Sequence, residues 1–377
     1  MRISITSEVP GERRVALTPQ AAQRLVTQGH QVLVTSGAGD RAGFTDGEYV
    51  EAGAQVVADS TSDTDVIMVV GPPRVEAVRA FPVGSVLIGL IEPFDSPDLV
   101  RALNERRISS FAMEAIPRST LAQSMDALSS QATAAGYEAV LVAATSTPRF
   151  FPMLTTAAGT IPPVKLLVLG AGVAGLQAIA TSRRLGAVVS AYDIRPEVRE
   201  QIESLGARFV AAPVDESAAA ASGYAKEVAD ETQRRQMQAL APHVAASDVV
   251  ITTAQIPGHP APLLVSREMV EQMKPGSVIV DVAAPTGGNC ELTVPGETVV
   301  HNGVSIIGPI DLAGRVAVDA SQMYSRNLTA LLDRLTDDDG EPAIDLDDEI
   351  TSGACITHDG RVVHPVVRRS LGLEGEA

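Results

Sequence analysis

The sequence predicts an α/β protein with two parallel-sheet domains that are joined by two long helices. The chain has 377 residues, which is long for one domain and sufficient for two. Short apolar strand patterns alternate with helical patterns, and this alternation starts again near the middle of the chain. Aromatic residues make up only 3% of the chain, so we expect aliphatic cores, as in buried parallel sheets.

The first alternating series lies in the N-terminal third of the chain. Its first helix is predicted from Thr18 as the N-cap and Pro19 at the first helical position, and Gly29 ends it. Because helices separate the strands, we expect the strands to pair in parallel. The predicted strands span residues 2–6, 31–35, 66–70, 85–90 and 108–113.

Two long helices are predicted to connect the domains. The first is an Ala-rich pattern from residue 129 to about residue 144, and a stretch with several Pro and Gly residues follows it at 148–163. The second begins near Asp319, where apolar residues recur at helical spacing up to Leu335. The predicted domains are therefore residues 1–128 plus 319–377, and residues 129–318.

A second series of strands lies between these helices. The predicted strands span residues 165–169, 188–192, 208–211, 248–252, 277–281 and 303–307. The acidic segment 337–349, which follows the second long helix, is predicted to be a solvated loop or surface face.

Charge and composition exclude several classes of function. The formal net charge is −17, which disfavours nucleic acid as a partner. Cys290 and Cys355 do not make a disulfide framework. The N-terminus lacks a signal-peptide pattern, and the apolar stretch 166–180 is too short for a membrane span and contains three glycines. We therefore expect a cytoplasmic protein.

A glycine-rich turn carries the clearest functional pattern. Gly170, Gly172 and Gly175 follow an apolar strand and open a helix, as a dinucleotide-binding, Rossmann-like turn requires. Gly170 allows the tight turn, Gly172 lets the backbone approach a pyrophosphate, and Gly175 lets the helix pack closely on the strand. The N-terminus of that helix favours phosphate.

An acidic residue follows the next strand at the expected distance. Asp193 can accept hydrogen bonds from both adenosine ribose hydroxyls and repel a 2′-phosphate, which favours NAD over NADP. Arg195 weakens this preference slightly and is interpreted as a wall of the adenosine pocket. The alternative is structural: the glycines only shape a turn, and Asp193 caps the helix that starts near Pro196.

A polar segment at residues 118–129 is the second candidate for a site. It follows a predicted strand, where ligands of open α/β sheets bind. The residues alone leave this open, because Asp126 or Ser129 would equally serve as the N-cap of the long helix. No histidine spacing matches a metal site, and Cys290 is interpreted as a buried thiol rather than a nucleophile.

Several segments together resemble the NAD(H)-binding alpha subunit of proton-translocating NAD(P) transhydrogenase, a family related to alanine dehydrogenase. The likeness covers nearly the whole chain. The segments that carry it are 13–19, 118–137, 170–180, 223–227, 251–258, 287–291 and 321–324.

The resemblance implies a set of site residues. Arg118, Gln123 and Asp126 would form a catalytic loop beside the nicotinamide, with Gln123 reaching toward the NADP site of a partner. Tyr224 would lie on a mobile loop over bound NAD, in a cleft between the two domains. The remaining implied cofactor contacts are Ser119, Ser129, Tyr137, Val173, Ile194, Arg195, Gly223 and Gln255.

The resemblance also implies the chemistry and the partners. Hydride would pass directly from NADH to NADP⁺ with Re/Si specificity, so no general base is needed. The chain would be a homodimer that docks on NADP(H)-binding and membrane subunits. Because it stops at Ala377, the membrane portion is expected on other polypeptides, and this chain would be peripheral on the inner face of the membrane.

Two alternatives stay open. An alanine dehydrogenase would place its substrate-binding Lys near Gly71-Pro72, its catalytic His near Ile91-Glu92 and its catalytic Asp near Pro285, and this chain has none of the three there. A non-catalytic NAD-binding scaffold is the other alternative. The polar residues Arg118, Gln123 and Asp126 disfavour it.

Overall fold

The computed structural model divides the chain into two compact units. Unit 1 contains Met1–Gln131 and Ala313–Ala377, and unit 2 contains Ala132–Leu312. These bounds lie three and six residues from those expected from the sequence. The structure describes residues 1–211, 225–256, 259–337 and 339–373.

The strands and helices follow one another in alternation along most of the chain. The strands are β1 (Arg2–Ile5), β2 (Gln31–Thr35), β3 (Gln55–Val57), β4 (Val66–Met68), β5 (Val86–Gly89), β6 (Ser109–Ala112), β7 (Leu154–Thr156), β8 (Gly159–Ile161), β9 (Lys165–Leu169), β10 (Val188–Tyr192), β11 (Arg208–Phe209), β12 (Val249–Thr252), β13 (Val278–Asp281), β14 (Thr298–His301), β15 (Val304–Ile307), β16 (Cys355–His358) and β17 (Arg361–Val362). The helices are α1 (Pro19–Thr27), α2 (Asp46–Glu51), α3 (Val75–Val78), α4 (Pro97–Glu105), α5 (Ala127–Ser146), α6 (Val173–Arg184), α7 (Arg199–Ser204), α8 (Ala225–Ala245), α9 (Arg267–Glu271), α10 (Ala317–Arg334), α11 (Glu349–Ala354) and α12 (Pro365–Ser370).

The sheet of unit 1 has the strand order β17-β16-β6-β5-β4-β1-β2-β3. Strands β1 to β6 pair in parallel, as predicted. The sheet is not wholly parallel, however, because β16 pairs with β6 in antiparallel register and β17 folds back on β16. Asp359 and Gly360 make that reversal, both with positive φ.

The sheet of unit 2 has the order β11-β10-β9-β12-β13-β15-β14. Each of the six predicted strands is present, and all of these pair in parallel. Strand β14 was not predicted and pairs with β15 in antiparallel register. The stretch at 148–163 contains a further unpredicted hairpin of β7 and β8.

Both predicted long helices are present. Helix α5 runs across the unit boundary, whereas α10 lies wholly within unit 1, whose second segment begins at Ala313. Tyr324 of α10 is fully buried; its hydroxyl donates to the carbonyl of Val69 at 2.9 Å and accepts from the N–H of Leu90 at 3.0 Å. These bonds hold α10 against the ends of β4 and β5. The apolar residues Leu328, Leu331 and Leu332 fill the same core.

Helix starts follow the capping rules. Thr18 accepts a hydrogen bond from the N–H of Ala21 and precedes Pro19 at the start of α1, as predicted. In the acidic segment, Asp348 pairs with Arg334 and caps α11 through the N–H of Thr351. The described residues of the segment are exposed or half-buried, as predicted for a solvated loop or surface face.

Candidate functional site

The glycine-rich turn joins the end of β9 to the start of α6. Gly170 has φ of +98°, in the left-handed region that favours glycine. A Cβ on Gly175 would lie 2.0 Å from the carbonyl oxygen of Gly170, so α6 can approach the strand this closely only with glycine there. At Gly172 a Cβ would meet no atom within 4 Å. The turn therefore has two glycines required by the fold and one that leaves an open approach to the backbone.

The N-terminus of α6 faces this open approach. Gly172 is its N-cap residue and provides no side-chain cap. The first N–H groups of an α-helix have no partner within the helix and carry partial positive charge. The arrangement is the one that holds a pyrophosphate in dinucleotide-binding turns.

Asp193 lies directly after β10 and is bonded to the same turn. Its carboxylate accepts from the N–H of Ala171 at 2.7 Å and from the N–H of Arg195 at 2.9 Å. The guanidinium of Arg195 donates to both carboxylate oxygens at 3.0 Å. The following short helix, Pro196–Val198, has no side-chain cap, so the alternative that Asp193 caps it is wrong.

The bonds to Asp193 keep its carboxyl ionised. Burial by itself raises the pKa of this carboxyl, but the hydrogen bonds from Arg195 and from the N–H groups of Arg195 and Ala171 outweigh burial and lower it. The side chain of Arg195 is 49% exposed. Of the groups bonded to Asp193, the Arg195 guanidinium is therefore the one that a ligand hydroxyl can replace. A fixed carboxylate of this kind can accept ribose hydroxyls and disfavours a 2′-phosphate.

Apolar side chains that flank the turn remain open to solvent. Val173 is 41% exposed and Ile194 is 55% exposed. Tyr137 of α5 is 40% exposed. It follows Gly136, where a Cβ would lie 2.1 Å from the carbonyl oxygen of Ala174, so α5 touches the first turn of α6. Exposed apolar residues next to convergent polar groups are typical of a ligand site.

The segment after β12 forms the other side of the turn. Thr253 donates from its hydroxyl to the carbonyl of Gly170 at 3.0 Å. The main chain of Ala254 is held by the side chain of Asn289, and Gln255 is exposed. The family resemblance implied Gln255 as a site residue, whereas Thr253 and Asn289 were not predicted. The Gly-Gly-Asn-Cys motif at 287–290 was the available sign of Asn289.

The polar segment predicted at residues 118–129 lies wholly in unit 1, and α5, which begins at its end, continues into unit 2. Residues Thr120–Met125 form a 3₁₀ helix with Ala122 and Met125 buried. Arg118 and Gln123 are exposed, and Ser119 is half-buried. Asn327 anchors the segment by donating to the carbonyl of Ser124 at 2.8 Å.

Asp126 has a structural role in this segment. Its carboxylate accepts from the N–H of Ser129 at 2.9 Å and from the Ser129 hydroxyl at 2.6 Å, at the start of α5. Asp126 therefore caps the helix, and the alternative that Ser129 is the N-cap is wrong. Gly223 and Tyr224, the remaining predicted site residues, lie outside the described residues.

A half-buried charged cluster in unit 1 was not predicted. Glu8 follows β1 and accepts from the N–H of Val70 at 2.7 Å and from the N–H of Gly71 at 3.3 Å. Burial raises the pKa of Glu8 to about 7, despite these two hydrogen bonds. Nearby, Arg14 pairs with Glu12 at 2.7 Å and donates to Gln131 at 2.8 Å.

Cys290 is buried and is not part of a disulfide. Burial raises the pKa of the Cys290 thiol to about 11, so it is a protonated buried thiol, as interpreted from the sequence. In the described ranges, no group of three or more His, Cys, Asp and Glu residues is arranged to hold a metal ion. Among the same residues, no helix is both long enough and apolar enough to cross a membrane.

Family models match both parts of the chain. The model described as the N-terminal domain of alanine dehydrogenase/PNT matches residues 4–135, and the model of the C-terminal domain of alanine dehydrogenase/PNT matches residues 139–365.

Individual relatives match over nearly their full length. The first part of NAD(P) transhydrogenase subunit alpha from Rhodospirillum rubrum is 45% identical, over 97% of this chain and 99% of the relative. The solved transhydrogenase from Sinorhizobium meliloti has a TM-score of 0.88 at 44% identity, over 96% of this chain and 100% of that one. Alanine dehydrogenase from Halomonas elongata is 30% identical, over 99% of this chain and 98% of the relative.

Proposed function

This chain belongs to the alanine dehydrogenase/PNT family, and from that premise we propose that it is the NAD(H)-binding alpha subunit of a proton-translocating NAD(P) transhydrogenase. It binds NAD(H), and hydride passes directly between NADH on this chain and NADP⁺ on a partner domain. Membrane subunits couple this transfer to proton movement. The 45% identity to an NAD(P) transhydrogenase alpha subunit supports the assignment.

One observation in unit 2 carries the proposal. The glycine-rich turn is open at Gly172, and the carboxylate of Asp193 is fixed beside it by the N–H of Ala171 at 2.7 Å. This pairing selects a dinucleotide whose adenosine ribose carries free hydroxyls. It supports NAD(H) rather than NADP(H) as the nucleotide of this chain.

The reduced nicotinamide ring supplies the hydride when it is bound, and the oxidised ring of the second nucleotide accepts it. The chain supplies binding and orientation. Asp193 and the turn at Gly172 hold the adenosine and phosphate portions. Because hydride leaves one carbon and joins another without a proton, no side chain has to act as a general base at the reacting atoms.

The 118–129 segment contributes the residues that distinguish a transhydrogenase from a plain NAD pocket. We assign Arg118, Gln123 and Asp126 to the nicotinamide end of the nucleotide, with Ser119, Ser129 and Tyr137 in support. Gln123 is exposed on the anchored 3₁₀ helix, and Arg118 is exposed just before it, so both are available to a second nucleotide. Ile194, Arg195, Gly223, Tyr224 and Gln255 complete the proposed NAD site.

Gln123 gives a specific prediction. Gln123→Asn keeps the amide but shortens the side chain by one methylene, and Gln123 is exposed, so the fold is expected to be unaffected. The rate of hydride transfer should fall several-fold while the Kd for NADH stays within about twofold of wild type. An equal loss of both in stopped-flow transfer and NADH titration contradicts the assignment.

Alanine oxidation is the rival activity, and a 30% identical relative bears that name. Its substrate-binding Lys and its catalytic His are expected near Gly71-Pro72 and Ile91-Glu92, after the ends of β4 and β5, and its catalytic Asp near Pro285. None of these positions carries the expected residue. A carbonyl or amine substrate needs proton transfer at the reacting centre, which hydride exchange between two nicotinamides does not.

We further propose that the chain is a homodimer, cytoplasmic and peripheral on the inner face of the cell membrane, where NADP(H)-binding and membrane subunits hold it. Relatives named as subunits of a larger enzyme support this. Light scattering of the purified chain at micromolar concentration should give twice the mass of one chain. A monomer would contradict the proposed assembly.

The assay that tests the function uses NADH, an absorbance-shifted NAD⁺ analogue and an NADP(H)-loaded partner domain. Hydride exchange that requires the partner supports the proposal. L-alanine with NAD⁺ is run in parallel on the same preparation. Reduction of NAD⁺ by alanine without the partner would overturn it, and so would NADH binding without exchange in the presence of a matched partner.

A further inference from the structure

The strand order of unit 2 decides which half of a bound dinucleotide meets which loop. Strand β9, which leads into the glycine-rich turn, lies between β10 and β12. Asp193 follows β10 and takes the adenosine ribose in the proposed function. The dinucleotide crosses the turn from one side to the other, so its nicotinamide half lies on the side of β12, over Thr253, Ala254 and Gln255.

Within this segment, the main chain of Ala254 is held in place by the side chain of Asn289. The amide oxygen of Asn289 accepts from the N–H of Ala254 at 3.0 Å. Its amide nitrogen donates to the carbonyl of Ala254 at 2.8 Å and to the carbonyl of Pro262 at 2.8 Å. Both N–H groups of the amide are therefore used, and the main chain on each side of Ala254 is fixed.

Asn289 is in turn fixed by its own main chain. Its N–H donates to Asp281 at 2.8 Å, and its carbonyl accepts from the N–H groups of Leu264 and Val265 at 2.8 and 3.0 Å. Asn289 and Asp281 are both fully buried. Such a network holds the Asn289 side chain in a single conformation.

The two glycines before Asn289 explain how the chain reaches that position. Gly287 and Gly288 have φ of +103° and +81°, a conformation that other residues rarely adopt. A Cβ on Gly288 would lie 2.8 Å from a carboxylate oxygen of Asp281. The Gly-Gly-Asn motif is thus the backbone that brings Asn289 past Asp281 to Ala254.

We propose that Asn289 is a positioning residue for the nicotinamide half of the bound nucleotide, acting through the Ala254–Gln255 main chain. This inference rests on the proposed NAD(H) function and names a residue that touches no substrate. Thr253 is held independently of Asn289, because its hydroxyl donates to the carbonyl of Gly170 at 3.0 Å and its N–H donates to the carbonyl of Leu169 at 2.8 Å. Loss of Asn289 should therefore disturb Gln255 while leaving the adenosine side intact.

The experiment compares NADH with ADP, which carries the adenosine and both phosphates but no nicotinamide. Asn289→Asp keeps the acceptor for the Ala254 N–H and removes both donors. Titrations of the full chain should show the Kd for NADH raised at least tenfold and the Kd for ADP changed less than about twofold. Asn289→Ser, which is smaller and uncharged, should show the same pattern and serves if Asn289→Asp does not fold.

Two further variants separate positioning from general destabilisation. Thr293→Val removes a different hydrogen bond to Asp281, of 2.6 Å, and should lower Tm without changing the Kd for NADH. Gln255→Ala should weaken NADH binding several-fold in the wild-type background and less than about twofold in the Asn289→Asp background.

Four outcomes would overturn the positioning role, and a fifth would overturn the proposed function as well. The positioning role is overturned if the Asn289 variants bind NADH and ADP equally weakly, or if the effects of Asn289→Asp and Gln255→Ala on NADH affinity are fully additive. It is also overturned if Thr293→Val weakens NADH binding as much as the Asn289 variants do. Unchanged NADH affinity in both Asn289 variants overturns it as well. A wild-type chain that binds no NADH overturns the proposed function and this inference together, so the two failures are distinguishable.

Discussion

Unit 1 and unit 2 have the same arrangement of central strands but differ at the point where the strand order reverses. In unit 2 this point lies between β9 and β12, and Gly172 leaves it open. In unit 1 it lies between β1 and β4, and the carboxylate of Glu8 occupies the N–H groups of Val70 and Gly71. An open α/β sheet binds ligands at this point. Unit 2 leaves backbone N–H groups available to a ligand there, whereas in unit 1 Glu8 accepts the backbone N–H groups.

The difference shows that the fold alone does not give a nucleotide site. Both units would be assigned to the same fold class from strand order. Among the residues that the structure describes, only those of unit 2 combine a close-packed helix start, an open backbone approach and a fixed carboxylate, that of Asp193. We therefore expect substitutions around Gly172 to affect NADH and substitutions around Glu8 to affect stability.

The largest effect is expected at the glycine-rich turn. Gly172→Ala adds a methyl group that meets no protein atom within 4 Å, so Tm should be almost unchanged. The methyl group would occupy the space needed by the pyrophosphate, so we expect NADH affinity to fall roughly a hundredfold, which is about 3 kcal/mol. Isothermal titration measures this directly.

Gly175→Ala is the matched comparison. Its Cβ would lie 2.0 Å from the carbonyl oxygen of Gly170, so the variant should lose both thermal stability and NADH binding. Unchanged NADH affinity in Gly172→Ala would contradict the role of the open approach.

A smaller effect is expected at Asp193. Asp193→Asn removes the charge that receives the ribose hydroxyls, and NADH affinity should fall about tenfold, since a hydrogen bond to a charged group contributes about 1.5–3 kcal/mol. The preference for NADH over NADPH should narrow as well. Competitive titration with both nucleotides gives the two values.

Asp248 offers a control for burial and charge. It is also buried, pairs with Arg149 at 2.8 Å and precedes β12, at the other end of the strands. Asp248→Asn should reduce stability without changing NADH affinity. If both variants weaken NADH equally, the effect at Asp193 is not specific to the ribose.

The smallest effect on NADH is expected from Glu8, in unit 1. Burial raises the pKa of Glu8 to about 7, so the folded chain keeps a proton that the unfolded chain releases near pH 4.5. The corresponding stability is present below pH 4.5 and is lost as the pH rises through 7. Glu8→Gln, which keeps an acceptor for the Val70 N–H, should remove much of this loss.

Denaturation of the wild type and Glu8→Gln at several pH values between 4 and 8 tests the sign. The variant should gain relative stability, by a few kcal/mol at most, as the pH rises. Glu114, whose pKa burial also raises to about 7, leaves a residual dependence in both proteins. If the stability of the wild type and of Glu8→Gln changes with pH in parallel, or if the variant binds NADH with a different affinity, the contrast drawn between the two units is wrong.

The glycine-rich turn could be predicted from the sequence because the residues that form it are close together in the chain. Gly170, Gly172 and Gly175 lie within six residues, and their three physical roles can be read from spacing and the flanking strand and helix patterns. The central strands were predicted for the same reason, since buried strands are continuous apolar runs. Thr18 at the start of α1 followed from capping rules.

The missed elements depend on contacts that are distant in sequence. Glu8 binds N–H groups 62 and 63 residues away, and Asn289 binds Ala254 at a separation of 35 residues. Strand β8 is exposed at all three residues, so it has no apolar alternation to reveal it. Asp126 was compatible with a cap or a site from sequence, and only the bonds to Ser129 identified the cap.

The most direct test of the contrast between the units is the number of NADH molecules bound per chain. Equilibrium dialysis or calorimetry of the 377-residue chain should give one NADH per chain in the wild type and in Glu8→Gln, and no measurable binding in Gly172→Val. Two NADH molecules per wild-type chain, or one that persists in Gly172→Val, would contradict the assignment of the site to unit 2.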